Sequence, residues 1–129
     1  MTIVVDCSIV LDALVARDGV AASELLSRHR LTAPHLLDVE IVSAVRGLVL
    51  GRHLGAHRGR DVLDRYEDLP VTRWATADDL RRRAFELRDN FSAYDAAYVV
   101  LAEALDCPLA TRDLRLARAA ERLVDVLVA

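Results

Sequence analysis

Thr2-Ile3-Val4-Val5-Asp6-Cys7-Ser8-Ile9-Val10-Leu11 joins two different periodicities within ten residues. Ile3, Val4 and Val5 form a short, uninterrupted β-branched run, the mark of a strand buried on both faces. Beyond Asp6 the apolar residues Ile9, Leu11 and Leu14 recur at helical spacing, with Ser8 placed to cap that helix. A buried strand feeding directly into a helix is the opening unit of a parallel α/β sheet.

The rest of the chain repeats this unit. Arg17-Asp18-Gly19 reads as a turn and Val20 to His29 as a helix, with Leu25 and Leu26 inward. Leu31 to Ala33 is a strand ended by Pro34. Leu36 to Leu50 is a strongly apolar helix, Gly51 to Gly59 a helix–helix turn, and His57 to Asp68 another helix. Val71 to Trp74 is an edge-like strand because Pro70 precedes it. Ala77 to Asp89 and the alanine-rich Ala93 to Leu105 are helices around the Asn90-Phe91-Ser92 loop. Pro108 to Thr111 is a strand, Asp113 to Ala120 a helix, and Leu123 to Leu127 the last strand. Strands alternating with single or paired helices predict a parallel sheet covered on both faces. In such sheets ligands bind beyond the carboxyl ends of the strands.

A chain of 129 residues suits one domain, residues 1–129, with a sizeable core. Its 53% hydrophobic and 29% charged content is that of a soluble globular protein. No apolar run approaches a membrane span, and no basic segment precedes the first strand, so a cytoplasmic location is expected. Cys7 and Cys107 are expected as reduced thiols at opposite ends of the sheet. The net charge of -3 gives no bulk attraction to nucleic acid, although a bound cation can reverse the sign locally. All 17 basic residues are arginine, which binds phosphate with a two-pronged geometry that lysine lacks. A GC-rich genome that favours arginine codons is the simpler explanation of that bias.

Four acids stand beside apolar runs, where a carboxylate is costly unless paired, capped or holding a cation. Asp6 ends the first strand and Asp113 follows Leu109-Ala110-Thr111; both fall on the carboxyl edge. Asp95 opens the alanine-rich helix. Glu40 interrupts Leu37-Asp38-Val39-Glu40-Ile41-Val42 and shares a helical face with Leu36, Ser43, Ala44 and Gly47. Three have local alternatives. Asp6 and Asp113 fit helix caps, and Ser92-Ala93-Tyr94-Asp95 fits a capping box. Glu40 has no such explanation, whereas Asp38 sits in a first helical turn that favours it. Taken together, several carboxylates on one edge repel one another unless a cation is present, and oxygen ligands select Mg²⁺ or Mn²⁺.

The chain resembles the PIN-domain ribonucleases, specifically the VapC-type toxins. The resemblance spans the whole chain. It rests on Val4-Val5-Asp6-Cys7-Ser8, on Glu40, on Ser92-Ala93-Tyr94-Asp95-Ala96-Ala97-Tyr98 followed by Leu101 to Leu105, and on Pro108-Leu109-Ala110-Thr111-Arg112-Asp113. It implies a three-layer α/β/α sandwich on a five-stranded parallel sheet. It also implies a metal site and catalytic centre of Asp6, Glu40, Asp95 and Asp113, with Ser8 and Thr111 as supporting hydroxyls. The activity implied is Mg²⁺-dependent endoribonuclease cleavage of structured RNA, transfer or ribosomal RNA foremost, leaving a 3′-hydroxyl and a 5′-phosphate and inhibiting translation. Mn²⁺ is expected to substitute. The implied partners are a VapB-like antitoxin, operator DNA only through that antitoxin, and a second copy of the chain.

Other residues are open to functional and structural readings. Arg52, Arg58 and Arg60, in a segment that also holds His53 and His57, are candidate RNA contacts or simply solvated. Arg112, between Thr111 and Asp113, is expected to meet phosphate or pair with an acid. Tyr94 and Tyr98 read as core, with base stacking as the functional alternative, and Trp74 reads as core. Three competing functions fit the acids less well. A metal-dependent phosphatase or phosphotransferase normally carries Asp-x-Asp after its first strand, where this chain has Asp6-Cys7-Ser8. A phospho-accepting receiver needs a lysine, and the chain has none. A PIN fold serving only as a binding module would have no need of four acids.

Overall fold

The computed structural model describes residues 1–129. Five strands form one parallel sheet: β1 (Thr2–Val5), β2 (Arg30–Pro34), β3 (Val71–Trp74), β4 (Leu109–Thr111) and β5 (Val126–Val128). Their order is β3-β2-β1-β4-β5. The chain therefore builds outward from β1 to β3, crosses back over the sheet, and continues through β4 to β5. That reversal places a crevice between the carboxyl ends of β1 and β4, beside the pairing of Val5 with Ala110.

Seven helices cover the sheet: α1 (Cys7–Val15), α2 (Val20–Ser27), α3 (Leu36–Leu50), α4 (Ala56–Glu67), α5 (Asp78–Glu86), α6 (Ala93–Leu105) and α7 (Leu114–Ala120). Right-handed crossovers put α1 to α4 on one face and α5 to α7 on the other, giving the three-layer α/β/α architecture. Ile3, Val4 and Val5 are wholly buried between the layers. Seven consecutive residues of α6, Ala96 to Ala102, are also buried. Alanines at 96, 97 and 102 let this helix lie close against β1, β2 and β4.

Several boundaries differ from the sequence reading for local reasons. β5 begins at Val126 and not at Leu123, because the Leu123 and Val124 amides still bond the Ala120 carbonyl and close the preceding helix. The ladder begins only where the Leu109 amide meets the Asp125 carbonyl. Pro34 is the last residue of β2, paired with Trp74, and does not lie beyond it. In the Gly51–Gly59 segment, α4 already begins at Ala56. Gly59 is buried inside it, and a Cβ there would meet Val49 at 3.0 Å and Val45 at 3.3 Å, so its bareness lets α3 and α4 approach closely. No helix is long and apolar enough to cross a membrane.

Two aromatic residues expected in the core are not there. Trp74 ends an edge strand; its ring is 43% exposed and its indole N–H donates to Thr32 Oγ1 at 2.8 Å. Tyr94 is 63% exposed because the first turn of α6 projects past the sheet edge. Cys7 and Cys107 are free thiols, as expected. The acid at position 38 is held structurally: Asp38 takes two bonds from Arg73 Nε and one from Tyr66 Oη.

Candidate active site

The switch in strand order brings together four segments far apart in sequence. Asp6 leaves β1 in an extended conformation and caps α1. Its Oδ1 accepts from the Ile9 amide at 3.1 Å and from Ser8 Oγ at 2.7 Å, while Oδ2 accepts from Thr111 Oγ1 at 2.5 Å. Ser8 is thus not the helix cap that the sequence suggested. It lies inside α1, and Asp6, two residues nearer the strand end, reaches the free amide first. The Ser8 hydroxyl instead crosses to β4, accepting the Arg112 amide at 2.9 Å and lying 3.2 Å from Thr111 Oγ1.

Asp113 follows β4 and caps α7, accepting the Arg115 and Leu116 amides at 3.0 and 3.1 Å. Its own amide donates to Thr111 Oγ1 at 3.0 Å. Ser92 Oγ caps α6 by accepting the Asp95 amide at 3.1 Å. The reciprocal half of a capping box does not form, because the Asp95 carboxylate turns to Arg115 Nη2 at 3.1 Å. Glu40, one turn into α3, accepts the Tyr98 hydroxyl at 2.5 Å on Oε1.

All four acids line one recess of about 270 Å³, together with Cys7, Ser8 and Tyr98. Capping and a shared site are therefore compatible: Asp6 and Asp113 each cap a helix and also line the recess. Burial pushes the Asp6 carboxyl above its ordinary range, opposed by Ser8, Thr111 and the Ile9 amide and reinforced by Asp113. Burial likewise raises Glu40, opposed by the Tyr98 hydroxyl and reinforced by Asp95 and Asp6. Cys7 rises to about 12 through burial and the nearby Glu40 and Asp6, so it stays a thiol and not a nucleophile. Mutual repulsion of this kind is relieved by a cation.

The donor set suits a hard divalent cation, since it is all oxygen and negative. As placed, no three acidic, imidazole or thiol groups converge tightly enough to clasp one ion by themselves. Three attachments account for that. Hydroxyls hold Asp6, Tyr98 holds Glu40, and Arg115 draws on both Asp95 and Asp113, at 3.1 and 3.5 Å. Mg²⁺ needs only one or two carboxylates, with water completing its shell, so the residues fit such an ion.

Two site residues escape a reading by sequence. Tyr98 is core, as expected, yet its hydroxyl reaches out of the core to Glu40; its place one turn after Asp95 was the available signal. Arg115 carries no local mark beyond its position two residues after Asp113. Arg112 lies 3.4 Å from Asp12 and is partly exposed. Arg52, Arg58 and Arg60 are exposed on the α3–α4 hairpin, and none lines the recess.

The PIN domain family profile matches residues 3–122. The chain belongs to that family. Within it, the chain is 50% identical to Ribonuclease VapC9 of Mycobacterium tuberculosis over 114 residues, which is 88% of this chain and 87% of that protein. It is 40% identical to Ribonuclease VapC1 of the same organism over 118 residues, 90% of this chain and 89% of the other. These identities place it among the VapC-type PIN domains. The fold also matches a chain in the crystal structure of VapBC2 from Rickettsia felis bound to a DNA fragment from their promoter. That match has a TM-score of 0.71 and 12% identity, and covers 99% of this chain and 98% of the other.

Proposed function

We propose that this PIN domain is a Mg²⁺-dependent endoribonuclease, the toxin of a type II toxin–antitoxin pair, which cleaves structured RNA and so inhibits translation. One observation carries the reading: four carboxylates from four separate segments line a single recess at the switch point of the sheet. The names of the VapC relatives point the same way.

Asp6 and Asp95, with Glu40 or Asp113, are the residues to hold the cation. When bound, the cation offsets charge on the scissile phosphate and lowers the pKa of water. The protein's own groups do the rest. Ser8 from α1 and Thr111 from β4 fix the Asp6 carboxylate, a supporting role that sets ligand orientation. Tyr98 occupies Glu40 Oε1, leaving Oε2 as the oxygen free to accept a proton from attacking water. Burial and neighbouring acids raise Glu40 toward the range useful for that exchange. Mn²⁺ should replace Mg²⁺, since both are hard cations with similar ligands.

The partner proposed is a VapB-like antitoxin that covers the recess, with operator DNA contacted only through it; the VapBC2 neighbour is itself a structure bound to promoter DNA. A homodimer and a cytoplasmic location belong to the same proposal.

The decisive experiment incubates the purified chain with transfer and ribosomal RNA in Mg²⁺ or EDTA, beside Asp6→Asn. Cleavage is expected only for the wild type in Mg²⁺. Cleavage that persists in EDTA or in the variant would overturn the carboxylate–metal reading.

A further inference from the structure

A cleft of about 670 Å³ lies beside the carboxylate recess. One wall is α7 and the residues after it; the other is the loop between α5 and α6. Arg115, Arg118 and Arg122 all line it. Arg115 and Arg118, three residues apart, share one stripe of α7, and Arg122 follows in the turn after the helix. The opposite face of α7, with Leu116, Ala117 and Ala120, is buried, so the stripe is held facing the cleft. The floor is apolar, formed by Leu87 and Phe91, with Leu114 exposed at the rim. Asn90 adds a side chain able to donate and accept hydrogen bonds.

The arginines are unequally engaged. Arg115 is tied to Asp95 and Asp113 at the border of the carboxylate recess. Arg118 and Arg122 are exposed and make no ion pair. In a chain with a net charge of -3, two unpaired arginines lining one cleft beside an acidic recess offer an anion a place to bind.

We infer that this cleft is the binding subsite for the single-stranded RNA segment adjoining the scissile phosphate, a reading that rests on the ribonuclease function proposed above. Arg118 and Arg122 bind successive phosphates, Arg115 marks the passage into the recess, and a splayed base lies on Phe91 and Leu114 with its edge toward Asn90. Phosphates on a line of arginines, with bases against an apolar and aromatic floor, is how proteins hold unpaired strands. The direct link through Arg115 favours RNA over a protein ligand, because the strand that enters the recess continues into the cleft.

The test measures binding of a short single-stranded RNA in EDTA, where no cleavage occurs, across a range of salt concentrations. The proteins are wild type, Arg118→Ala/Arg122→Ala, and Arg28→Ala. Arg28 is exposed and follows α2, on the other face of the sheet from α7. Two lost phosphate contacts should weaken binding roughly tenfold and flatten the slope of log K against log salt by about 1.4. Arg28→Ala should leave the slope unchanged. Equal slopes for wild type and the double variant, or equal flattening by Arg28→Ala, would overturn the subsite. So would a double variant that keeps the RNA slope yet loses binding of an acidic, leucine-containing peptide, which would make the cleft a protein-docking site. The slope is read without metal or turnover. Failure of the ribonuclease reading shows instead as absence of cleavage by wild type in Mg²⁺.

Discussion

Thr111 Oγ1 donates to Asp6 Oδ2 at 2.5 Å across 105 residues of sequence, joining the carboxyl ends of the two central strands. The same oxygen accepts the Asp113 amide. One hydroxyl thereby fixes two of the four acids. Thr111→Val keeps the shape but removes the donor and the acceptor at a fully buried position. It should destabilise the protein by about 1–3 kcal/mol, the usual result of leaving buried polar groups unpaired. Urea unfolding measures this, and Thr111→Ser should lose less; equal losses would show that the methyl group and not the hydroxyl matters.

Tyr98 Oη holds Glu40 in its ionised form against burial and two neighbouring acids. Tyr98→Phe removes that support and should raise the Glu40 pKa further. Activity on RNA should therefore begin to fall at a higher pH on acidification than in the wild type. The pH profile of kcat/KM shows it; an unmoved acid limb would mean Glu40 does not titrate in the reaction. The stability loss should be small, about 1 kcal/mol.

Glu40 also weakens the metal-free fold. Its folded pKa lies above its ordinary value of 4.5, so the folded state holds its proton more tightly than the unfolded state. Stability from this group is complete below pH 4.5 and is lost as pH rises through the folded value. Glu40→Gln keeps an oxygen for Tyr98 and removes the charge. In EDTA at pH 7 the variant should have the higher urea midpoint, and the difference should vanish below pH 4. A variant that is less stable at pH 7 would contradict the assignment.

Arg115 draws on Asp95 and Asp113 together, two of the acids proposed to hold the cation. Arg115→Ala frees both carboxylates and should tighten Mn²⁺ binding in the absence of RNA by roughly threefold, the modest effect expected of an exposed pair. Isothermal titration reads it directly. Weaker binding in the variant would show that Arg115 positions the acids instead of competing for them.

Much of this arrangement was legible from order along the chain. The β-branched run before Asp6 and the helical spacing after it predict a strand–helix unit, and its repetition predicts a parallel sheet. Asp6 and Asp113 fall at strand ends because an apolar strand must stop where the chain turns to solvent, so both acids could be placed on one edge. Asp95 and Glu40 could be assigned to helix faces by period alone. The boundaries that moved did so where helix-closing hydrogen bonds outlast the apolar pattern, as after Ala120.

What the tertiary structure alone decided is which faces meet. Periodicity orients a side chain about its own helix and is silent on the neighbouring element. The order β3-β2-β1-β4-β5 sets β1 beside β4 and brings the start of α6 between them. It makes Tyr98 the partner of Glu40, Arg115 the partner of two acids, and Asp12 the partner of Arg112. The same order leaves β3 at the edge, which is why Trp74 is half in solvent despite an apolar ring. The cleft of Arg115, Arg118 and Arg122 likewise exists only because α7 packs beside the α5–α6 loop, a contact between segments whose local patterns carry no sign of one another.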